Sequence, residues 1–521
     1  MIKELKDMPV ESTVDSEAIL SGICRLDVLC QTPTQETLQL IPEDLARKYN
    51  AIPLMVENNR LRVAMANPDD ILAIEALAAR TKKRIEPVPA TAIDIQEAID
   101  FNYKAFGGIA QQFGLITTDS GIADSEKIAT EVADDSPVAR ALSVVVEEAM
   151  KARASDIHIE PEIDKLRIRY RIDGILHDVT SLPLSVHSPL ISRIKILSGM
   201  NIADHRRPQD GQFSIQTKGR DLDIRVATIS TVYGEMAVLR LLNKSVAALP
   251  LSQLGFLPEG QENFERMLKV PYGMVLISGP TGAGKTTTLY AAVNSLDRVG
   301  RNIITIEDPV EYRFGGINQI QINPLAGLTF ASGLRSIVRL DPDVILVGEI
   351  RDGETAKIAI QSSLTGHLVL SSVHANDTVS VLFRLADFDI EPFLICSAVI
   401  GIVAQRMVRC ICPHCARDTT VSAEEKMAYQ RETGEARDEF ASGAGCNACA
   451  YTGYLGRTGI FEILSMSDKV RRLFSNGATV AEIRSQATEE GMVTLAKYGM
   501  LKVKSGITTP YEVLRNAYSV E

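Results

Sequence analysis

Tryptophan is absent from this chain of 521 residues, and aromatic side chains make up only 5% of it. Proteins that grip single strands by stacking bases on aromatic rings need more of them. Basic residues are also outnumbered: 55 Lys and Arg stand against 66 Asp and Glu, a formal net charge of −11. Phosphate backbones are held mainly through Lys and Arg, so no nucleic acid is expected as a partner. Long hydrophobic runs are missing too. The longest, Pro392 to Ala404, falls short of the about 20 residues that cross a bilayer, and Met1 to Val10 mix charges without the apolar stretch of a signal peptide. A cytoplasmic protein is expected, peripheral at a membrane only through partners. Cysteine is sparse as well, 8 in all, yet five of them crowd between Cys410 and Cys449. Disulfide scaffolds belong to small secreted chains, so a metal site in a reducing compartment fits better.

What is present suggests about three or four domains, at roughly 100 to 200 residues each. Residues 1–35 lack sustained periodicity and are expected to form a loosely ordered lead-in. Residues 36–105 alternate helical stretches (43–49, 71–80, 92–101) with short strands such as 60–66, a small α/β domain. Residues 106–135, rich in Gly, Ala, Ser and Asp, suit a linker. A second domain spans 136–248. It opens with a helix over 136–152, and in 165–172 Leu166, Ile168, Tyr170 and Ile172 alternate with Arg167, Arg169 and Arg171 before a turn at Asp173-Gly174. The alternation returns in 221–227, with a helix over 187–197 between, so a mixed sheet is expected. From 249 to 405 buried strands alternate with helices, the pattern of a parallel α/β core. Residues 406–455 hold the cysteines and 456–521 read as a helical region.

The core carries Gly279-Pro280-Thr281-Gly282-Ala283-Gly284-Lys285-Thr286-Thr287 directly after the apolar run 274–277 and before a helix over 287–296. That order is what a phosphate-binding loop requires: glycines turn backbone N–H groups inward and the helix start presents its positive dipole end. Lys285 would reach the β- and γ-phosphates of ATP, and Thr286 would hold Mg²⁺. Two acidic strand ends follow, Glu307-Asp308-Pro309-Val310-Glu311 and Val344 to Glu349. Ligands of open parallel sheets bind at the carboxyl ends of strands, so both should face the loop. Gly348 stands where many such enzymes place an aspartate, which leaves the acidic role to Glu349. His367 and His374 bracket the strand 368–373 and are candidates for the γ-phosphate or a subunit seam. Arg335 and Arg339, expected on one helix over 332–340, are either interface cations or surface charges.

These boxes resemble the secretion ATPases of type II secretion and type IV pilus assembly over about residues 136–505. The resemblance rests on the phosphate loop, the Glu307 to Glu311 box, Gly348-Glu349-Ile350-Arg351-Asp352, the stretch from Thr365-Gly366-His367 to His374-Ala375-Asn376-Asp377, and a tetracysteine module. It implies an α/β fold with a RecA-like P-loop ATPase core, preceded by a PAS-like domain and a small N-terminal domain. It implies that Glu311 activates water, that Glu349 organises Mg²⁺, and that Arg206 and Arg225 approach nucleotide near a subunit junction of a homo-hexamer. Inner-membrane platform and adaptor proteins of a secretion or pilus machine are the implied partners. A RecA-like motor dependent on nucleic acid is the alternative, and a nucleotide sensor without turnover a further one. Related N-terminal domains bind cyclic di-GMP through paired Arg-Leu-Gly repeats; no such pair stands upstream of Ile41, so docking to a membrane partner is expected instead.

Cys412-Pro-His-Cys415 and Cys446-Asn-Ala-Cys449 form two C-x-x-C clamps. Four thiolates in tetrahedral array satisfy Zn²⁺ with no open position, a structural role. A redox pair is the alternative. Cys410 and His414 are not expected as ligands, and Cys24, Cys30 and Cys396 read as small apolar residues.

Overall fold

The computed structural model describes residues 33, 35–57, 60–104, 137–217, 220–242, 249–449 and 452–517. The expected linker and most of the expected lead-in lie outside them. The chain divides into two bodies, residues 1–107 with 445–452, and residues 108–444 with 453–521.

In the first body, β1 (Ala51–Glu57), β2 (Arg60–Met65) and β3 (Arg84–Pro89) form one sheet, antiparallel then parallel. The helices Glu43–Lys48, Ile71–Thr81 and Ala92–Lys104 lie where the sequence places them. Ile52, Leu61, Val63, Leu77, Ile95 and Ile99 make its core.

The second body begins with a six-stranded sheet ordered β6-β5-β4-β9-β8-β7, built from β4 (Ala154–Pro161), β5 (Lys165–Ile172), β6 (Ile175–Pro183), β7 (Gln209–Thr217), β8 (Arg220–Thr231) and β9 (Gly234–Leu242). Every pairing is antiparallel rather than mixed: β4-β5-β6 and β7-β8-β9 are joined by hairpins, the helix His187–Leu197 carries the chain from one edge strand, β6, to the other, β7, and β4 pairs with β9 at the centre. Period two decides its faces. Leu166, Ile168 and Tyr170 are buried with Leu222, Ile224 and Val226, against Leu142, Val145 and Val146 of the helix Pro137–Lys151. The opposite residues Arg167 and Arg169 make two-pronged contacts with Asp178 and Glu160. Asp173 and Gly174 both take positive φ, 47° and 87°, as a two-residue hairpin turn demands.

The core sheet has seven strands in the order β12-β11-β13-β14-β10-β15-β18. β10 (Gly273–Ser278), β11 (Ile303–Glu307), β12 (Asn318–Gln321), β13 (Val344–Val347), β14 (Leu368–Val373) and the start of β15 (Val399–Ile411) run parallel. β10, β11, β13 and β14 are buried throughout, as strands covered on both faces must be. The expected helical region 456–521 is corrected at its start: β18 (Tyr454–Ser465) is an antiparallel edge strand on β15, and helices follow only from Asp468. The cysteine segment is an insertion between these two strands, with its own hairpin of β16 (Ala416–Thr420) and β17 (Glu439–Gly443). The apolar run 392–404 is split between the helix Pro392–Ala398 and β15.

Candidate functional site

The phosphate loop leaves β10 and enters the helix Lys285–Ser295. Gly279, Gly282 and Gly284 take φ of 152°, 80° and 87°. At Gly279 a side chain is also excluded by space, since a Cβ would stand 2.6 Å from the Gln405 carbonyl oxygen. No side chain caps the helix at Gly284, so its first amides are left to a ligand. Lys285 Nζ donates to the carbonyls of Gly279 and Pro280 at 2.8 and 3.1 Å, folded over the loop where phosphate oxygens would replace those acceptors. Burial pushes its ammonium down while the Glu349 carboxylate opposes the shift.

The loop opens on a cleft of about 990 Å³ between the six-stranded sheet and the core. Its floor holds Pro280 to Thr287, Glu307, Asp308, Glu311, Glu349, Arg351 and His374, so both acidic strand ends face the loop as the parallel topology requires. The facing wall carries Arg171, Arg225 and Arg240. Arg240 is held by Asp156 at 2.9 Å. Arg225 reaches across: Nη1 meets Glu311 Oε2 at 2.8 Å and Nη2 donates to Val310 O at 2.8 Å.

Glu349 contacts the Arg351 guanidinium and lies 3.4 Å from His374 Nε2. Arg351 is also 3.9 Å from Asp308, and its guanidinium is pushed up chiefly by the hydrogen bond to Glu349. Glu307 takes a different role from its neighbours. It is buried and accepts from Thr305 Oγ1 at 2.6 Å, Gln319 Nε2 at 3.3 Å and the Tyr290 hydroxyl.

Two expected site residues lie elsewhere. His367 sits at the amino end of β14 and His374 at its carboxyl end, since a strand of this length, at about 3.3 Å per residue, separates them by roughly 20 Å. His367 Nδ1 instead contacts Ser362 O at 2.8 Å, on the edge away from the loop. Arg206 is exposed and is not among the residues lining the cleft. Arg335 and Arg339 share no helix face either. The helix Phe330–Ile337 stops before Arg339, and Arg335 pairs with Glu354.

Other residues around the site escaped the sequence. Gln405 Nε2 donates to Ala283 O at 2.6 Å, bracing the phosphate loop from β15, and Arg406, which lines the cleft, donates from Nη2 to Asn376 O at 2.7 Å on the segment after β14. The signal available was a Gln-Arg pair ending an apolar strand. Tyr290 was read only as part of a helix.

In the cysteine insertion, the sulfurs of Cys412, Cys415, Cys446 and Cys449 lie within 4.8 Å of one another and all four residues are buried. Cys446 Sγ and Cys449 Sγ stand 3.8 Å apart, the edge of a tetrahedron whose centre is about 2.3 Å from each sulfur, the Zn–S distance. The Cys446 N–H points to Cys449 Sγ at 3.2 Å. The donor set fits zinc.

A family model described as Type II/IV secretion system protein matches residues 131–515, and a second, the MshEN domain, matches residues 25–108. The chain is 39% identical over 492 residues to the Type IV pilus assembly ATPase PilB of Myxococcus xanthus, covering 92% of this chain and 86% of that protein. It is also 39% identical over 496 residues to the Type II secretion system protein E of Dickeya dadantii, covering 92% and 98% respectively. Among solved structures, the ATPase DotB of Legionella pneumophila matches 71% of this chain and 94% of its own with a TM-score of 0.55; at 20% identity that is a likeness of fold. No helix among the described residues is long and apolar enough to cross a membrane.

Proposed function

Because the chain belongs to the type II/IV secretion system protein family, it is a P-loop ATP hydrolase, and we propose that hydrolysis drives assembly of a type II secretion pseudopilus or a type IV pilus. It does so as a cytoplasmic homo-hexamer, docked through its N-terminal domain to inner-membrane platform and adaptor proteins. The observation that carries the mechanical part is the Arg225 to Glu311 contact, which ties the six-stranded sheet to the acidic loop opposite the phosphates.

Lys285 and the loop amides bind the β- and γ-phosphates. Glu311 takes the proton of the attacking water as general base. Arg225 holds Glu311 from the neighbouring sheet, so cleft opening and hydrolysis are linked through one ion pair. Thr286 and Glu349 would hold Mg²⁺, which spreads the charge of the departing phosphate when bound. His374 and Arg351 orient Glu349. Arg206, exposed in a single chain, serves at the junction between subunits. Cys412, Cys415, Cys446 and Cys449 would hold a structural Zn²⁺.

Identity of 39% to both a pilus and a secretion ATPase leaves the choice between machines to experiment. Co-purification of the full chain from cells tests it: a pilus or a secretion platform protein comes down in an ATP-dependent manner, and purified chain turns over ATP with Mg²⁺ but not as Lys285→Ala. Turnover stimulated by DNA, with no membrane partner recovered, contradicts it.

A further inference from the structure

Glu311 sits on the loop after β11, and a carboxylate on a loop acts as a base only where something fixes the loop. Its side chain is met by Arg225, but its backbone is met from the other side. The Glu311 N–H donates to the Tyr290 hydroxyl at 3.2 Å, and that hydroxyl donates to the Glu307 carboxylate. Glu307 is only 3% exposed and is locked in turn by Thr305 and Gln319. Gln319 also donates to Tyr312 O at 2.9 Å and accepts from the Phe314 N–H at 2.8 Å. The loop is therefore anchored through a chain of hydrogen bonds that ends in one buried carboxylate.

Tyr290 stands on the helix that begins at Lys285 and Thr286. The element that presents the phosphate-binding side chains thus also sets the amide of Glu311. We propose that Tyr290 is a positioning residue for hydrolysis, registering Glu311 against the phosphate loop through its hydroxyl, with buried Glu307 as its anchor. The inference rests on the proposed role of Glu311 as base. Burial, reinforced by the Glu307 charge, pushes the phenol up, so the hydroxyl keeps its proton and its donor role at any working pH.

The ring is held independently of the hydroxyl, edge-on to Phe314 at 4.9 Å and to Tyr312 at 6.1 Å. Tyr290→Phe therefore keeps the packing and removes only the relay. Its kcat is expected to fall about 5- to 30-fold, the range of one or two lost hydrogen bonds, with ATP affinity held within about threefold and the chain still folded at the assay temperature, the melting temperature falling slightly because buried Glu307 loses one donor. In single-turnover assays with radiolabelled ATP, Tyr290→Phe added to Glu311→Gln costs less than about twofold more, because both changes act through one group. Glu307→Gln gives the same kcat loss and adds nothing to Tyr290→Phe. Unchanged kcat in Tyr290→Phe beside an inactive Glu311→Gln overturns the positioning role alone. So does a loss that multiplies with Glu311→Gln, or one accounted for by unfolding at the assay temperature or by lost ATP affinity. A wild-type rate in Glu311→Gln overturns the base and the relay together.

Discussion

Replacing Arg225 by Gln removes two contacts at once, and their size separates two roles for this arginine. Its guanidinium meets Glu311 and Val310 O, each at 2.8 Å, with 22% of the Arg225 side chain and 28% of the Glu311 side chain exposed. A hydrogen bond to a charged group contributes about 1.5–3 kcal/mol when buried, and partial exposure cuts the pair to roughly 1–2 kcal/mol. If that energy holds Glu311 in place, its loss lowers kcat about 5- to 30-fold. An arginine placed on the transferring phosphate is worth about 10³ to 10⁵ instead. Steady-state turnover, with ATP affinity measured separately by a fluorescent analogue, distinguishes them. Arg225→Lys, which keeps the charge but loses the fork, should recover part of the rate. A fall beyond about 10³, or none at all, refutes the reasoning that Arg225 acts by holding Glu311.

Two further outcomes follow from the cysteine insertion and a buried cation. Purified chain should carry one zinc, and Cys446→Ser should lose it and lower the melting temperature while leaving ATP affinity intact; full stability without metal would favour a redox pair. Lys502 is buried, donates to Thr458 Oγ1 at 2.7 Å, and burial lowers its pKa to about 8 from 10.5. Below pH 8 folded and unfolded chains both carry the proton and the burial cost is fully present; between about 8 and 10.5 only the unfolded chain does, so stability rises with pH. At about 1.4 kcal/mol per pH unit the cost is roughly 3 kcal/mol, so Lys502→Met should melt higher than wild type at pH 7 and lose that advantage by about pH 10. An advantage that grows with pH would contradict the assignment.

What the sequence revealed depended on whether the determinant was local. The alternation in 165–172 and the Asp173-Gly174 turn are local, and β5 and its hairpin stand where period two places them. Phosphate loop, acidic strand ends and C-x-x-C clamps are likewise short-range patterns. Gln405 and Arg406 reach the loop only because β15 pairs with β10 in the register Ser278 to Ala404, a neighbour set by topology rather than by nearby residues. Tyr290 fell within the helix expected over 287–296, and nothing in that helix announced the buried Glu307 opposite. His367 shows the reverse error: proximity in sequence to His374 suggested a shared site, whereas a strand between two residues keeps them apart.

The central claim is that Glu311 is the general base, and hydrolysis by Glu311→Gln tests it most directly. With the full chain, Mg²⁺ and saturating ATP, single-turnover hydrolysis should fall by about 10² to 10⁴ while ATP affinity stays within a few fold. Hydrolysis at the wild-type rate, with ATP bound as before, would contradict it.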